Sequence, residues 1–207
     1  YPKKKKSKEV KEIILAMVSP TRLEEGNEIY NFYETKKDDD KNISYHLYEV
    51  YKDASINLKW TPILKRECKK VGIDFFTSPY SFELVDHVDN FIPAYKIGSG
   101  DITWLEIIKY IASKGKPYII ATGSSTLLEV KQAYKTAIKI NKNIGIMQCN
   151  TNYTADSKNY DYINLNVLKT YKKLFPKAVL GLSDHTFGHA TVLGAITLGA
   201  RIIEKHF

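Results

Sequence analysis

From residue 55 onward, short apolar segments alternate with amphipathic ones at a regular spacing. Six apolar segments are predicted strands, at residues 73–77, 94–98, 117–121, 144–149, 178–182 and 201–206. Between them, apolar residues recur every three or four positions in the segments 105–111, 127–137 and 165–174, which is typical of helices with one buried face. Strand starts lie about 20 to 35 residues apart, so the pattern predicts repeated βα units and a parallel sheet.

Polar residues occur within several of these strands, and their positions help to decide whether the sheet is closed into a barrel or open. Successive side chains of a strand point to opposite faces. We therefore expect one apolar face under the helices and one polar face carrying Lys96, Gln148, Glu204 and His206. A catalytic barrel has such an interior, whereas an open doubly wound sheet, the alternative, buries two apolar faces. The prediction is an α/β fold, an incomplete (β/α)8 TIM barrel with about six to seven of its eight strands.

The N-terminal third gives weaker signals. Residues 1–11 hold six lysines and one glutamate, a net +5 of the chain's +8, which predicts a solvated basic tail. Residues 12–207 are expected to form the partial barrel domain. Within it, residues 8–18 favour a helix that begins in the tail, residues 28–33 a strand and residues 57–71 a helix.

Composition excludes several classes of protein. Beyond the lysine tail little positive charge remains, so we expect no nucleic-acid partner. The alternative of a nucleic-acid binder is motivated by the lysine tail alone. The two cysteines, Cys68 and Cys149, lie far apart and imply no disulfide framework, which favours a cytoplasmic protein. No apolar run approaches the roughly 18 residues of a membrane helix, and we expect no membrane partner.

The carboxyl ends of the six predicted strands are unusually rich in hydroxyl, glycine and ionisable residues. These ends lie at 77–79, 98–101, 122–125, 150–153, 183–186 and 204–206. A (β/α)8 barrel places its active site at this edge. The sequence therefore predicts a single site assembled from all six strand ends.

Two kinds of ligand fit these residues. Gly98, Gly100 and Gly123 would let backbone N–H groups approach a phosphate, although turn and helix-capping chemistry explains such residues equally well. Lys96, on the predicted inner face, requires an anion, and phosphate is a good candidate.

A metal ion is the second candidate ligand. His185 and His206 end consecutive strands, and two histidines leave positions open for a Lewis-acid site. His87 and His189 lack this setting, and we expect them to be helical and structural.

Four motifs, in this order, resemble those of the sialic acid synthase family. They are FFTSPYSFELVD at 75–86, KIGSGD at 96–101, GLSDHT at 181–186 and IIEKHF at 202–207, within a match that covers roughly residues 57–207. The resemblance implies a barrel that binds phosphoenolpyruvate and a divalent cation, Mn²⁺ or Mg²⁺. It also implies a homodimer for the full-length protein, in which a small antifreeze-like domain reaches across to the partner.

The resemblance assigns roles to individual residues. His185 and His206 would bind the metal, Lys96 and Ser99 would hold phosphoenolpyruvate, and Asp101 is a candidate acid/base group, so Lys96 and Asp101 are the expected catalytic residues. Further substrate contacts are expected from five strand-end residues: Ser78, Thr122, Thr151, Tyr153 and Ser183.

The sequence also departs from the family pattern. Ala121 stands where a phosphate-binding serine is usual in the family. One hydrogen-bond donor to the phosphate is therefore missing, unless Ser124 supplies it instead. The strand that carries the family's first phosphate lysine is expected near residues 28–36, where Asn31 falls at the lysine position. The family's first strand and last helix are not recognisable, so we expect this stretch by itself to be a poor catalyst.

The implied reaction is the condensation of phosphoenolpyruvate with an N-acetylmannosamine-like aldehyde, giving a nine-carbon 2-keto acid and phosphate. The alternatives are a phosphoenolpyruvate-condensing barrel of the 3-deoxy-octulosonate phosphate synthase type and a non-catalytic sugar-binding remnant.

Overall fold

The computed structural model of the chain describes residues 15–17, 57–152 and 157–205. Its strands are β1 (Leu15–Met17), β2 (Asp74–Phe76), β3 (Tyr95–Ile97), β4 (Tyr118–Ala121), β5 (Ile144–Cys149), β6 (Val179–Asp184) and β7 (Ile202–Lys205). Its α-helices are α1 (Thr61–Lys70), α2 (Phe82–Asp89), α3 (Leu105–Ser113), α4 (Leu127–Ile138), α5 (Val167–Leu174) and α6 (Ala190–Thr197). Short 3-10 helices lie at Leu58–Trp60, Ser99–Asp101 and Ser157–Tyr162.

All the described strand pairs are parallel. Strands β3 to β7 form one sheet in sequence order, and β1 pairs with β2. Each predicted strand from residue 73 onward is confirmed within two residues at either end. The three predicted helices after residue 100 are also confirmed, and residues 57–71 form a 3-10 turn followed by α1.

Local signals explain several helix starts. Thr126 precedes α4, where its hydroxyl accepts from the backbone N–H of Glu129 and the Glu129 carboxylate accepts from the backbone N–H of Thr126. This reciprocal arrangement satisfies two N–H groups that a helix start otherwise leaves unpaired. Ser81 caps α2 in the simpler way, through its side chain alone.

The main core lies between the sheet and its helices. Tyr95, Ile120 and Ile146 project from successive strands and pack with Ile108 of α3 and Leu168 of α5. This face is apolar, as the alternation within the strands predicts.

The sheet is curled into a half-barrel. Phe76 of β2, Ile119 and Ala121 of β4 and Met147 of β5 form a second buried cluster, and Ile202 of β7 packs against it. A flat sheet would hold β4 and β7 about 14 Å apart, so one buried cluster that draws side chains from both strands indicates curvature. The inner face is therefore apolar at its base, with polar residues confined to the carboxyl end.

Two expectations need correction. Residues 15–17 form a strand rather than part of a helix, since they pair with β2 along the register Leu15 with Asp74 and Met17 with Phe76. The strand expected at residues 28–36, with Asn31, lies outside the described residues, as does the basic tail. Gln148 belongs to the outer face, because its neighbours Met147 and Cys149 both pack in the second buried cluster on the inner face.

Two histidines stand largely as predicted. His87 lies within α2, and its Nε2 is 3.1 Å from the Thr61 hydroxyl. His189 occupies the position before α6 rather than the helix itself. Among the described residues, no helix combines the length and hydropathy needed to cross a membrane.

Candidate active site

A buried ion pair lies inside the curled sheet. The Lys96 ammonium of β3 is 2.8 Å from Glu204 Oε1 of β7, and the hydroxyl of Ser183 on β6 donates to the same oxygen at 2.7 Å. Their side chains are almost buried, with 9% of Lys96 and 13% of Glu204 exposed. The anion that we expected Lys96 to require is therefore present within the chain itself.

Cys149 connects this pair to the loop that follows β4. Burial raises the pKa of its thiol, while hydrogen bonds with Ser183 and Ser99 act in the opposite direction. Ser99 in turn accepts a hydrogen bond from the backbone N–H of Gly123 at 3.0 Å. One continuous polar cluster thus runs from Lys96 to Gly123, and we call Lys96, Ser99, Cys149, Ser183 and Glu204 the inner cluster.

The inner cluster contains three of the predicted site residues, Lys96, Ser99 and Ser183. Cys149 and Glu204 were not predicted to take part in substrate binding. The alternation signal could have found Glu204, because it shares a predicted face with Lys96. Cys149 had no such signal, since it sits between polar residues at a strand end.

Two further predicted residues have properties that suit a site. The Ser78 hydroxyl, after β2, is buried and has no hydrogen-bond partner among the described residues, which is uncommon for a buried polar group. Asp101 lies in the turn after β3, and burial raises the pKa of its carboxyl. Such a carboxyl is better suited to proton transfer near neutral pH than an exposed one.

Thr122 and Thr151 differ in their surroundings. The buried Thr122 hydroxyl donates to the backbone carbonyl of Met147 and accepts from Tyr171 of α5, both at 2.9 Å. It therefore joins β4 to β5 and α5, and the prediction that it binds substrate receives no support. The Thr151 hydroxyl lies 2.7 Å from that of Ser124, in an exposed position after β5.

The loop after β4 is tightly packed against its neighbours. A Cβ atom on Gly123 would lie 2.3 Å from Thr151 Cγ2 and 3.0 Å from Ser99 Oγ, so any larger residue requires the Thr151 side chain to shift. The Gly123 N–H is already used by Ser99, which removes it from the phosphate cradle that we expected. Glycine here serves close packing between two loops.

His185 follows β6 and is buried. Its Nδ1 is 2.5 Å from the backbone carbonyl oxygen of Asn150; because a carbonyl only accepts, Nδ1 must donate. In the neutral imidazole the lone pair then lies on Nε2, the arrangement of most metal-ligating histidines. His206 and Tyr153 lie outside the described residues. Among the residues that the structure describes, no group of three His, Cys, Asp or Glu side chains could hold a metal.

Asp184 supports the loop that carries His185. Its carboxylate accepts from the hydroxyls of Thr186 and Thr191 at 2.8 and 2.9 Å, and from the Lys205 ammonium at 2.6 Å. Burial alone would raise the pKa of Asp184, but these hydrogen bonds outweigh it and lower the pKa. The side chain is therefore an ionised anchor for the turn rather than part of the inner cluster.

Comparison with known families gives one match over most of the chain. The model of the NeuB family matches residues 20–207. This range includes every described strand except β1.

Curated relatives carry related names. The chain is 35% identical to the pseudaminic acid synthase of Helicobacter pylori, an alignment covering 78% of this chain and 47% of that protein. It is 33% identical to the human N-acetylneuraminate-9-phosphate synthase, over 69% of this chain and 39% of that protein. The chain thus spans less than half the length of these two relatives.

A solved structure gives a similar result. The sialic acid synthetase of Leptospira borgpetersenii, determined in complex with citrate, superposes with a TM-score of 0.70 at 25% identity. That match covers 84% of this chain and 58% of the other. The curled parallel sheet described above is therefore shared with a sialic acid synthetase.

Proposed function

The chain belongs to the NeuB family, and on that premise we propose that it condenses phosphoenolpyruvate with an N-acetylmannosamine-like amino-sugar aldehyde. The products would be a nine-carbon sialic-acid-type 2-keto acid and phosphate. The observation that carries the proposal is the inner cluster, because Lys96 of β3, Ser99 of the turn after β3 and Ser183 of β6 meet in one place.

The inner cluster would bind phosphoenolpyruvate. Lys96 supplies positive charge and the Ser99 hydroxyl supplies a donor for the phosphate or carboxylate. The Ser183 hydroxyl, which donates to Glu204 in the free chain, would turn to donate to the ligand. Glu204 holds the ammonium in place through a 2.8 Å contact. Ser78, whose buried hydroxyl has no partner among the described residues, is a further donor at the same edge.

The reaction balances without a redox step. The enol carbon of phosphoenolpyruvate forms a bond to the aldehyde carbon, and the aldehyde oxygen becomes a hydroxyl. Water adds to the former C2 of phosphoenolpyruvate, and the C–O bond to phosphate breaks, which leaves the 2-keto group. Asp101, with its raised pKa, would move the proton of the attacking water.

A divalent cation, Mn²⁺ or Mg²⁺, would be held by His185 together with His206. The hydrogen bond from Nδ1 of His185 to the Asn150 carbonyl fits this role, since it orients the ring. When bound, such an ion would supply Lewis-acid activation of the aldehyde. For the full-length protein we also propose a homodimer.

A second candidate is a non-catalytic protein that binds sugar. Glu204 already neutralises Lys96, Asn31 falls at the position expected for a phosphate-binding lysine, and Ala121 supplies no hydroxyl. Together these features reduce the positive charge and donors available to phosphoenolpyruvate.

A synthase assay separates the two candidates. The chain is incubated with phosphoenolpyruvate, N-acetylmannosamine and Mn²⁺, and phosphate release and product mass are followed; Ser183→Ala is the matched variant. Release of phosphate together with a nine-carbon acid, both reduced in Ser183→Ala, supports the synthase. Sugar binding without either product favours the non-catalytic protein. In a parallel incubation with a pentose phosphate in place of N-acetylmannosamine, release of phosphate together with an eight-carbon acid would assign the other barrel class.

A further inference from the structure

The amino edge of the sheet lies at the opposite end of the half-barrel from the candidate active site. Because neighbouring strands are parallel, the helix between two strands returns the chain to this edge. Residues 139–143 lead from α4 into β5, and residues 175–178 lead from α5 into β6. Strands β5 and β6 are neighbours, with Gly145 opposite Val179, so these two loops lie side by side.

Exposed lysines are concentrated in the two loops and at the end of α5. The four are Lys139, Lys142, Lys173 and Lys177. None of them forms an ion pair with another described residue. Lysines elsewhere on the same edge do, since Lys114 pairs with Asp86 and Lys116 with Asp89. The four lysines therefore present positive charge that the described part of the chain does not neutralise.

The charges of the chain are separated along the sequence. Residues 130–178 contain nine lysines and two aspartates, whereas residues 12–56 contain ten acidic and five basic residues. The small net charge beyond the lysine tail is thus the sum of an acidic region and a basic one. The basic region includes both loops at the amino edge.

Exposed aliphatic side chains lie among the four lysines. Ile140, Leu174 and Val179 are 49%, 38% and 48% exposed, and each is within two residues of one of the lysines. A basic side chain near the end of a helix offsets the helix macrodipole, which accounts for Lys139 and Lys173 but not for the aliphatic side chains beside them. We call the four lysines and these three residues the basal surface.

The residue types of the basal surface favour an anionic lipid surface over other acidic partners. Protein interfaces are depleted in lysine and enriched in arginine and aromatic residues, whereas the basal surface carries lysine as its only charged residue. Single-stranded nucleic acids stack on aromatic side chains, and aliphatic groups find no partner on a phosphate backbone. At a bilayer, lysines are attracted to anionic headgroups and aliphatic side chains enter the interfacial region.

We propose that the basal surface attaches the chain to the anionic face of a phospholipid bilayer. The candidate active site, at the carboxyl edge of the sheet, then faces away from the lipid and stays open to water and substrates. The expectation of no membrane partner rested on the lack of a spanning segment in the sequence, and surface attachment does not need one.

Vesicle binding of two basal variants and two matched controls tests the proposal. Lys142→Gln combined with Lys177→Gln removes two charges, and Ile140→Ser removes one aliphatic group. The charge control is Lys59→Gln combined with Lys109→Gln, at exposed positions outside the basal surface. The aliphatic control is Leu128→Ser, at a residue that is 66% exposed in the first turn of α4.

Binding is measured by flotation with vesicles of phosphatidylcholine that contain about one third phosphatidylserine, and with vesicles of phosphatidylcholine alone. All the proteins keep the lysine tail, so its contribution is the same in every comparison. Urea unfolding checks that each variant is folded, which the exposure of the substituted positions leads us to expect.

We expect the parent chain to bind the anionic vesicles and to be released when NaCl is raised from about 0.05 to about 0.5 M, because salt screens exposed charges. The basal lysine variant should bind about 25-fold more weakly, since each lysine near an anionic bilayer contributes roughly fivefold. Ile140→Ser should weaken binding at least about threefold, and both controls should bind as the parent does.

Three results would overturn the proposal. The first is a parent chain that does not bind the anionic vesicles. The second is equal binding by the parent, the basal variants and the controls, because the lysine tail would then account for the attachment. The third is a loss in the basal lysine variant without a loss in Ile140→Ser, which would indicate a general polyanion surface rather than a lipid one.

Discussion

Lys96 and Glu204 lie on the two edge strands of the five-stranded sheet, and their side chains meet at 2.8 Å across its inner face. Strands β3 and β7 would lie about 19 Å apart in a flat sheet. The contact between them therefore requires the sheet to be curled into a half-barrel. The two residues are the only charged members of the inner cluster among the described residues, and they lie at the centre of the candidate site.

Breaking this ion pair should destabilise the fold. Lys96→Met would leave the Glu204 carboxylate buried without its cation, at a cost of about 3–5 kcal/mol at pH 7. The double variant Lys96→Met, Glu204→Gln should recover a large part of that loss. Urea unfolding of parent, single and double variants measures the coupling.

A matched control is the exposed ion pair of Lys70 and Glu67, at 2.9 Å with 61% and 49% of the side chains exposed. Lys70→Met should change the free energy of unfolding by less than about 0.5 kcal/mol. Equal stability of Lys96→Met and the parent chain would contradict our account of the inner pair.

The packing of Gly123 predicts a second effect. Gly123→Ala would place a methyl group 2.3 Å from Thr151 Cγ2, which should cost about 1–3 kcal/mol. Adding Thr151→Ser removes that methyl group and should restore part of the stability. Gly100→Ala is the control, because a Cβ there meets nothing within 4 Å. Thermal unfolding of the parent chain, the two single variants and the double variant tests the prediction, and equal stability of Gly123→Ala and Gly100→Ala would contradict it.

Asp184 predicts a loss of stability in acid. Its pKa in the folded chain lies below the ordinary value, so the native state binds fewer protons than the unfolded chain. The stabilisation is present above about pH 4 and is lost as pH falls through the lowered pKa. The Asp184→Asn variant should therefore unfold at a lower urea concentration than the parent chain at pH 7, and its free energy of unfolding should depend less on pH below pH 4. The control variant Asp161→Asn, at an exposed position, should have the same urea midpoint and the same pH dependence as the parent chain.

Asp101 predicts a separation of stability from activity. Because burial raises its pKa, ionised Asp101 opposes folding above that pKa, and Asp101→Asn should leave the fold as stable as before or more so at pH 7. Removal of a general acid/base should nevertheless reduce kcat about 100-fold or more. An active Asp101→Asn enzyme with an unchanged pH profile would exclude the proton-transfer role.

The fold after residue 57 follows from local information, because apolar periodicity and strand spacing determine which segments form strands and helices. The inner cluster follows only in part. Strand alternation places Lys96 and Glu204 on one face, but the distance between them depends on the curl of the sheet, a property of five strands together. The positive φ of Ser124 is likewise a feature that no residue pattern in the sequence indicates.

The outer position of Gln148 shows the limit of reading alternation by polarity alone. Its strand carries Met147 and Cys149 on the inner face, where they pack with Phe76 and Ile119 in a small apolar layer. Polarity suggested the reverse, since an amide is more often found in a polar interior than beneath helices. The base of this half-barrel is apolar, and only its carboxyl edge is polar.

The most direct test of the central claim is a calorimetric titration of the folded chain with phosphoenolpyruvate, with and without Mn²⁺. Our account predicts saturable binding that tightens with Mn²⁺ and weakens in Ser183→Ala and in the double variant of Lys96 and Glu204. It also predicts that His185→Ala removes the effect of Mn²⁺ while the chain remains folded. A folded parent chain that takes up no phosphoenolpyruvate under either condition would contradict the assignment of the inner cluster and the proposed synthase function with it.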